Sequence, residues 1–254
     1  MNVPRVIPCL LTDGRSLVKT RRFADPTYVG DPANVLSIFS EFEVDEIVLL
    51  DIGATRARRV PDLDLVARVA DECIVPLAYG GGISTPAQVA RILDIGVEKV
   101  VLNSAWVDDP SLLQRSAERH GSQAIVVSID ARRTPEGHEV ATVSGTRRHD
   151  AKPQDWARRA ADLGAGELLV TSIDEDGMQA GYDLELIGSV SAAVDVPVVG
   201  CGGAGCRQDL VTAVHEGGAT AAAAGSIFVF YGVHRAVLVN FPSRAQVSEL
   251  FRGG

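Results

Sequence analysis

The sequence contains one segment twice, and this internal repeat limits the folds that the chain can adopt. The first copy includes PLAYGGGI and VVLNSA, and the second includes PVVGCGGAG and AAAAGS. Pro76 and Pro197, which open the two matching runs, are 121 residues apart. An offset of 119 residues also aligns residues 6–11 with residues 125–130. Because no linker-like sequence separates the copies, we expect one folded unit.

Strand-like runs alternate with helical patterns along both copies, which is typical of βα units in a parallel sheet. We predict eight strands, at residues 5–11, 46–52, 75–79, 99–103, 124–130, 167–173, 197–201 and 220–224. Two repeated halves of four strands close most simply into a single (β/α)8 TIM barrel over residues 1–254. A doubly wound open sheet is the alternative.

Composition excludes several classes of protein. The net charge of −9 and the pI near 5.0 give no basic surface for a nucleic acid. Apolar runs stay short of the roughly 18 residues that a membrane span needs, and we expect a cytoplasmic protein without a signal peptide or membrane partner. The four cysteines lack CxxC spacing and the five histidines lack metal-ligand spacing. These patterns predict free thiols, no metal and no cofactor.

Two glycine-rich turns follow matching strands and predict two sites for anions. We define the first cradle as Gly80–Ile83 with residues 103–105, and the second cradle as residues 201–205 with residues 224–226. Glycines let backbone N–H groups approach an anion closely, and Asn103, Ser104 and Ser226 add polar groups. Gly82 and the Gly202–Gly203 pair are the central glycines. The alternative is that the glycines only permit tight turns.

The repeat places a carboxylate in one half and an apolar residue in the other. Asp130 ends the fifth predicted strand, and Leu11 stands at the equivalent position of the first. Efficient acid and base catalysis usually needs two groups of different pKa. Asp13, two residues beyond Leu11, is a candidate replacement, although Asp13 followed by Gly14 is also typical of a solvated turn.

The segments after the first and fifth strands, residues 12–32 and 131–152, are long and polar, and we expect loops that cover a substrate. Lys19 lies on the first of these segments. Spacing alone leaves two interpretations of Lys19, a ligand for phosphate or a bound intermediate and a solvated side chain.

Four charged residues stand at strand beginnings with the parity of the inward-facing strand ends: Arg5, Glu46, Lys99 and Glu167. They predict a charged ring at the floor of the barrel, about 16 Å below the chemistry. A gated polar entrance and ordinary salt bridges at the bottom face both agree with the pattern.

The motifs RVIPCL, VDEIVLLDI, GGGI, NSA, GSQAIVVSID, GAGELLVTSIDEDG, GYD and CGGAG resemble HisF, the cyclase subunit of imidazole glycerol phosphate synthase, over nearly the whole chain. The resemblance implies a HisH-like glutaminase docked on the floor. It also implies ammonia that crosses the barrel interior, and a bis-phosphate intermediate that is cyclised and cleaved to imidazole glycerol phosphate and an aminoimidazole carboxamide ribotide.

The resemblance also assigns roles to individual residues. It implies that the four floor charges form the ammonia gate, that Glu98 and Gln123 lie near the glutaminase, that Lys19 is a mobile loop lysine and that Asp130 is the general acid. We also place Thr171 and Asp176 in the substrate pocket. The implied phosphate contacts are Gly82, Asn103, Ser104, Gly177, Gly203, Gly225 and Ser226.

The sequence departs from HisF at Leu11, where the family has a catalytic aspartate. The run SIFVFYGVHRAVLVNFPS is closer to HisF-like paralogues associated with acetamidino modification of cell-surface sugars. Three alternative hypotheses follow. In the first, the chain is a synthase acting on a phosphorylated sugar-like substrate, with Asp130 as acid and Lys19 or Asp13 assisting. In the second, it is an ammonia-delivering subunit that serves a sugar amidotransferase. In the third, it is the related barrel isomerase of histidine synthesis, which needs an acid at position 11 and no floor gate.

Overall fold

The computed structural model describes residues 3–232 and 234–252. Its strands are β1 (Arg5–Asp13), β2 (Ser16–Arg21), β3 (Ala24–Gly30), β4 (Ile47–Asp51), β5 (Leu77–Gly80), β6 (Lys99–Leu102), β7 (Ile125–Thr134), β8 (Gly137–Thr142), β9 (Arg147–Arg148), β10 (Glu167–Ser172), β11 (Val198–Cys201), β12 (Ala221–Ala224), β13 (Phe230–Tyr231) and β14 (Ala236–Val237).

Eight of these strands form a closed parallel barrel. The order is β1, β4, β5, β6, β7, β10, β11 and β12, and β12 pairs with β1 to close the ring. The Arg5–Ala221 and Cys9–Val48 pairs fix the register on the two sides of β1. The predicted (β/α)8 TIM barrel is therefore confirmed.

Helices surround the barrel: α1 (Pro32–Glu41), α2 (Leu63–Glu72), α3 (Pro86–Asp94), α4 (Ala105–Asp108), α5 (Pro110–His120), α6 (Pro153–Asp162), α7 (Leu184–Ser191), α8 (Arg207–His215), α9 (Ser226–Val229) and α10 (Arg244–Arg252), with a 3₁₀ helix at Ser122–Ala124. Local sequence explains where several begin. Asp31 caps α1 ahead of Pro32, and Thr85 forms a capping box with Gln88 on α3. Within the described ranges, no helix has the length and hydropathy of a membrane span.

Side chains alternate between the two faces of each barrel strand and so form two apolar clusters. On β1, Val6 and Leu10 pack outward against the helices, whereas Ile7, Cys9 and Leu11 point into the barrel. The other buried members of the inner cluster, several of them alanines, are Val18, Val48, Ala78, Val101, Val126, Leu169, Val199, Cys201, Ala221 and Ala223. The barrel interior is therefore apolar between its two ends.

The two segments that were expected to be covering loops instead form antiparallel strands. β1 continues to Asp13, turns at Gly14 with φ +61°, and pairs with β2, which pairs in turn with β3. In the second half, β7 continues to Thr134 and pairs with β8. Hydrogen-bonded strands, rather than irregular loops, therefore rise from the barrel mouth in both halves.

Candidate active site at the barrel mouth

A cavity of about 450 Å³ opens at the carboxyl ends of the barrel strands. Both cradles line this cavity, the first with Gly80–Ile83 and the second with residues 201–204. Loops after the strands of an α/β barrel commonly hold the catalytic and binding groups. The cavity therefore brings the two repeated glycine turns to one ligand-sized space.

The first cradle joins a glycine turn to two polar side chains that directly follow β6. Gly82 has φ +69°, and a Cβ there would stand 2.5 Å from the Arg59 carbonyl oxygen, so the turn requires glycine. The Ser104 hydroxyl donates to Asn103 Oδ1 at 2.9 Å and accepts from the Val143 backbone N–H at 2.9 Å. Since both side chains line the cavity, the predicted contacts of this cradle lie together.

The second cradle is assembled from three segments of the second half. Gly202 and Gly203 have φ +86° and +114°, and a Cβ on Gly203 would stand 2.0 Å from the Gly181 carbonyl oxygen. Gly177 has φ +68°, which also favours glycine. These glycines line the cavity with Gly225 and the buried Ser226.

Asp130 is a buried acid on the cavity wall. Its carboxylate accepts hydrogen bonds from Ser128 Oγ at 2.9 Å and Asn103 Nδ2 at 3.1 Å. Burial raises the pKa of Asp130 to about 7, and the nearby charge of Asp176 acts in the same direction, while the two hydrogen bonds oppose this rise. A carboxyl with this pKa can hold or release a proton near neutral pH.

Asp176 and Thr171 complete the acidic side of the cavity. Thr171 on β10 is paired in register with Asp130 on β7, and Asp176 follows β10 in the next loop. The buried Asp176 carboxylate accepts a hydrogen bond from Thr20 Oγ1 at 2.6 Å. Both predicted pocket residues line the cavity, and Asp176 also ties the β2–β3 hairpin to the second half of the barrel.

Lys19 occupies a fixed position in a strand. It lies on β2 and is only 5% exposed, because the side chain runs into the cavity. Its ammonium donates to the Cys9 carbonyl oxygen at 3.1 Å. The expectation of a lysine on a loop after β1 is therefore corrected, since the segment is a paired strand.

Leu11 and Asp13 separate along β1. Leu11 lines the cavity and is paired in register with Leu50 on β4. Asp13 is exposed at the turn into β2, where its carboxylate lies against Gly53. The cavity lining does not include Asp13, and its role as a catalytic candidate stays a prediction.

The four predicted floor charges form a ring of ion pairs at the opposite end of the barrel. Arg5 Nη1 lies 2.5 Å from a Glu46 carboxylate oxygen, and Arg5 also contacts Glu167. Lys99 Nζ lies 2.8 Å from both Glu46 and Glu167. Burial alone would raise the pKa of Glu167, but its hydrogen bonds with Arg5 and Lys99 hold that pKa below the usual range.

Glu98 and Gln123 also lie on the floor face. Glu98 immediately precedes β6, and Gln123 lies in the 3₁₀ helix before β7. Both side chains are exposed. The residues predicted to lie near a partner are therefore accessible at the end of the barrel that carries the charged ring.

Three arginines that line the cavity were not predicted as site residues. Arg56, Arg58 and Arg59 lie in the segment between β4 and α2, beside the first cradle. Arg59 pairs with the buried Asp51 carboxylate at 3.2 Å, while burial raises the pKa of Asp51. The signal in the sequence is the run TRARR, whose three cations follow the end of a barrel strand.

Residues 5–234 match the family model described as histidine biosynthesis protein. A Pseudomonas aeruginosa protein provisionally named imidazole glycerol phosphate synthase subunit hisF2 is 48% identical over 94% of this chain and 95% of its own length. A Leptospira interrogans protein provisionally named as the HisF subunit is 42% identical over 98% of both chains. The imidazole glycerol phosphate synthase subunit HisF of Streptomyces griseus is 43% identical over 89% of this chain and 90% of its own. The chain therefore belongs to the histidine biosynthesis protein family, among its HisF-type imidazole glycerol phosphate synthase subunits.

Proposed function

We propose that this chain is a HisF-type synthase subunit that receives ammonia at its floor and uses it on a bis-phosphate, sugar-like ligand at its mouth. One observation carries the proposal: a single barrel has a ring of two cations and two anions at one end and a cavity lined by two glycine cradles at the other. The ammonia source is a HisH-like glutaminase, and we place the pair in the cytoplasm, where free thiols such as Cys9 and Cys201 stay reduced.

The floor face supports docking of a glutaminase. Three apolar side chains that precede barrel strands are exposed there, with exposed fractions of 41% for Val3, 40% for Phe42 and 83% for Ile74. Glu98 and Gln123 add polar groups on the same face. Exposed apolar side chains next to charged groups are typical of protein interfaces.

The barrel interior supports passage of a small neutral molecule. Between the floor ring and the cavity, the inner cluster includes Ala78, Ala221 and Ala223, which leave more room than larger side chains. Apolar walls offer ammonia no strong hydrogen-bond partners and disfavour ions. The ring of Arg5, Glu46, Lys99 and Glu167 would then be the gate that ammonia passes first.

The mouth supports chemistry on a ligand with two anionic groups. The two cradles provide a backbone site on each side of the cavity, and Asp130 between them has a pKa of about 7. In the family reaction, ammonia and the bis-phosphate intermediate give imidazole glycerol phosphate and an aminoimidazole carboxamide ribotide. Asp130 would be the general acid, and the buried Lys19 would assist at the same cavity.

Leu11 favours a second candidate function. It places an alkyl side chain on the cavity wall at the repeat position that carries Asp130 in the other half. A barrel that keeps its floor ring but lacks one of two acids fits an ammonia-delivering paralogue with little or no cyclase activity. Its ammonia would serve a separate amidotransferase that forms an amidine on a cell-surface sugar.

Reconstitution with a HisH-like glutaminase tests the proposal. We expect the chain to bind the glutaminase and to raise its rate of glutamine hydrolysis. A variant with Ile74→Glu and Phe42→Glu should weaken both effects, whereas Val60→Glu, an exposed apolar position after β4 on the mouth side, is the matched control. No binding and no activation by the unaltered chain would contradict the proposal.

Complementation separates the two candidate functions. A histidine auxotroph that lacks its cyclase should grow with this chain if the chain cyclises the family's intermediate. Failure to grow, together with preserved activation of the glutaminase, would select the ammonia-delivering function.

A further inference from the structure

Gly225 is a glycine without a conformational reason to be one. It precedes α9 with φ −122° and ψ −60°, whereas Gly202 and Gly203 in the same cradle have positive φ. What excludes a side chain at Gly225 is space: a Cβ would stand 1.9 Å from Lys19 Nζ and 2.6 Å from the Cys9 carbonyl oxygen. The missing side chain therefore leaves room for the ammonium of Lys19.

Lys19 is a buried cation with unused hydrogen-bond donors. Within residues 3–232 and 234–252 it makes no ion pair, and its one side-chain hydrogen bond is to the Cys9 carbonyl oxygen. An ammonium has three N–H donors, so two remain. A buried charge without a counterion is costly, and the cavity that Lys19 lines is the place where an anion could supply one.

The second cradle surrounds the same point. Lys19 Nζ occupies the space that a Cβ on Gly225 would take, and the next residue, Ser226, places a buried side chain on the cavity wall. Gly203 completes the backbone side of the cradle. The Gly181 carbonyl oxygen leaves no room for a Cβ at this position. An oxyanion held there by backbone and hydroxyl groups would meet the free donors of Lys19.

We propose that Gly225 is a positioning residue that admits the Lys19 ammonium into the second cradle, where Lys19 is a fixed ligand of one phosphate group of the substrate. The inference rests on the proposed function in one respect, that the substrate carries a phosphate at this cradle. In this inference Lys19 is part of the site before the ligand binds, whereas the resemblance to HisF implies a lysine that arrives with a mobile loop.

Crystals of the full chain soaked in inorganic phosphate test the inference, with the first cradle as an internal control. We expect phosphate in both cradles of the unaltered protein, with Lys19 Nζ about 3 Å from an oxygen of the second phosphate. Gly225→Ala should lose the second phosphate and keep the first. Gly188→Ala, in helix α7 with only the Gly217 carbonyl oxygen nearby at 3.8 Å, should keep both.

If Gly225→Ala fails to fold, Lys19→Met still tests the inference, because a methionine at position 19 adds no atoms next to Gly225. Isothermal titration with inorganic phosphate should show roughly 10- to 100-fold weaker binding at the second cradle for Lys19→Met, the loss expected for a hydrogen bond to a charged group. The variant with both changes should bind no more weakly than either single variant, because both changes remove the same contact.

Phosphate in the second cradle of Gly225→Ala with unchanged affinity would overturn the inference. So would phosphate in the second cradle of the unaltered protein at a position out of reach of Lys19. Phosphate in the first cradle alone would overturn only this inference. Phosphate in neither cradle would also contradict the bis-phosphate ligand, and activation of the glutaminase is a separate measurement of the ammonia function.

Discussion

The two halves of the barrel repeat the same glycine turns but hold different charged groups. The first half supplies both cations of the floor ring, Arg5 and Lys99, and the repeat places Ala124 and Thr220 at the equivalent positions of the second half. At the mouth, the buried Asp51 of the first half is paired with Arg59, whereas the second half supplies Asp130 and Asp176, buried acids without an ion pair among the described residues. The cations of the floor and the buried acids without an ion pair at the mouth therefore come from different halves.

This difference follows from what each position requires physically. A glycine with positive φ, such as Gly82 or Gly203, is fixed by a carbonyl oxygen within 2.5 Å of its would-be Cβ, so both copies keep it. A side chain at a strand end points into the cavity or onto the floor and has no such restriction. Backbone geometry is therefore shared by the halves, while the charges that determine chemistry differ.

The largest expected effect is the pH dependence of Asp130. Its folded-state pKa of about 7 lies above the unfolded value near 3.8, so the protonated form stabilises the fold, and that stability is lost as pH rises from below the unfolded pKa to above the folded pKa. The unaltered protein should lose about 4 kcal/mol relative to Asp130→Asn over this window. Urea unfolding of both proteins at each pH measures the difference, and a constant difference would show that Asp130 ionises normally.

Removing one cation of the first half should break the floor ring. Lys99→Met leaves the buried carboxylates of Glu46 and Glu167 with Arg5 as their remaining partner. We expect a loss of about 3 kcal/mol in the free energy of unfolding, because uncompensated buried charge is costly.

The control for the floor ring is Arg68→Met, which removes a surface pair with Asp31 whose side chains are 48% and 34% exposed. That change should cost at most about 1 kcal/mol. Equal losses in the two variants, measured by urea unfolding, would mean that the floor ring behaves as an ordinary surface pair.

Giving the first half an acid would make the two sides of the barrel mouth alike. Leu11→Asp places a carboxyl on the cavity wall at the position that the repeat aligns with Asp130. If the missing group alone limits cyclisation, the rate with the family's bis-phosphate intermediate and ammonia should rise roughly 100-fold. Leu11→Asn, similar in size but unable to ionise, should give no rise. No gain from either variant would favour the ammonia-delivering function.

The sequence predicts the barrel strands well because their signals are local. The predicted starts and ends lie within about four residues of the observed ones, as β5 and β7 illustrate. The hairpins were missed, although Asp13 and Gly14 are a typical hairpin turn. Val18, Lys19 and Thr20 are all buried, so β2 lacks the alternation that marks a half-buried strand.

The candidate site was predictable where glycine geometry defines it, and less so where side-chain direction does. The repeat identified both cradles and Asp130, and these line the cavity. The depth of Lys19 depends on the pairing of β2 with β3 and on the absent Cβ of Gly225, a residue of the other half of the chain. Arg56 and Arg58 were overlooked because a short segment after a strand gives no periodic signal.

The smallest expected effect concerns how each half holds its hairpin. In the second half, Asp183 accepts from Arg133 and lies 2.9 Å from His138, and Ser104 accepts from the Val143 backbone N–H after β8, so β7–β8 is anchored both within its own half and across the mouth. The first-half hairpin is anchored across the mouth by the bond from Thr20 to Asp176. Thr20→Val should therefore cost about 2 kcal/mol, because the buried carboxylate loses a short hydrogen bond. Thr27→Val on the exposed strand β3 is the matched control.

Hydrogen exchange locates the loss from Thr20→Val. Residues 16–30 should exchange faster, whereas residues 125–142 should keep the rates of the unaltered protein. If both hairpins exchange faster together, the halves share one cooperative unit at the mouth, and the anchor on Asp176 holds more than the β2–β3 hairpin. Faster exchange in the first hairpin alone would mean that the second half, which carries Asp130, keeps its structure when the bond from Thr20 to Asp176 is lost. The second half would then fix, through that bond, the strand that carries Lys19.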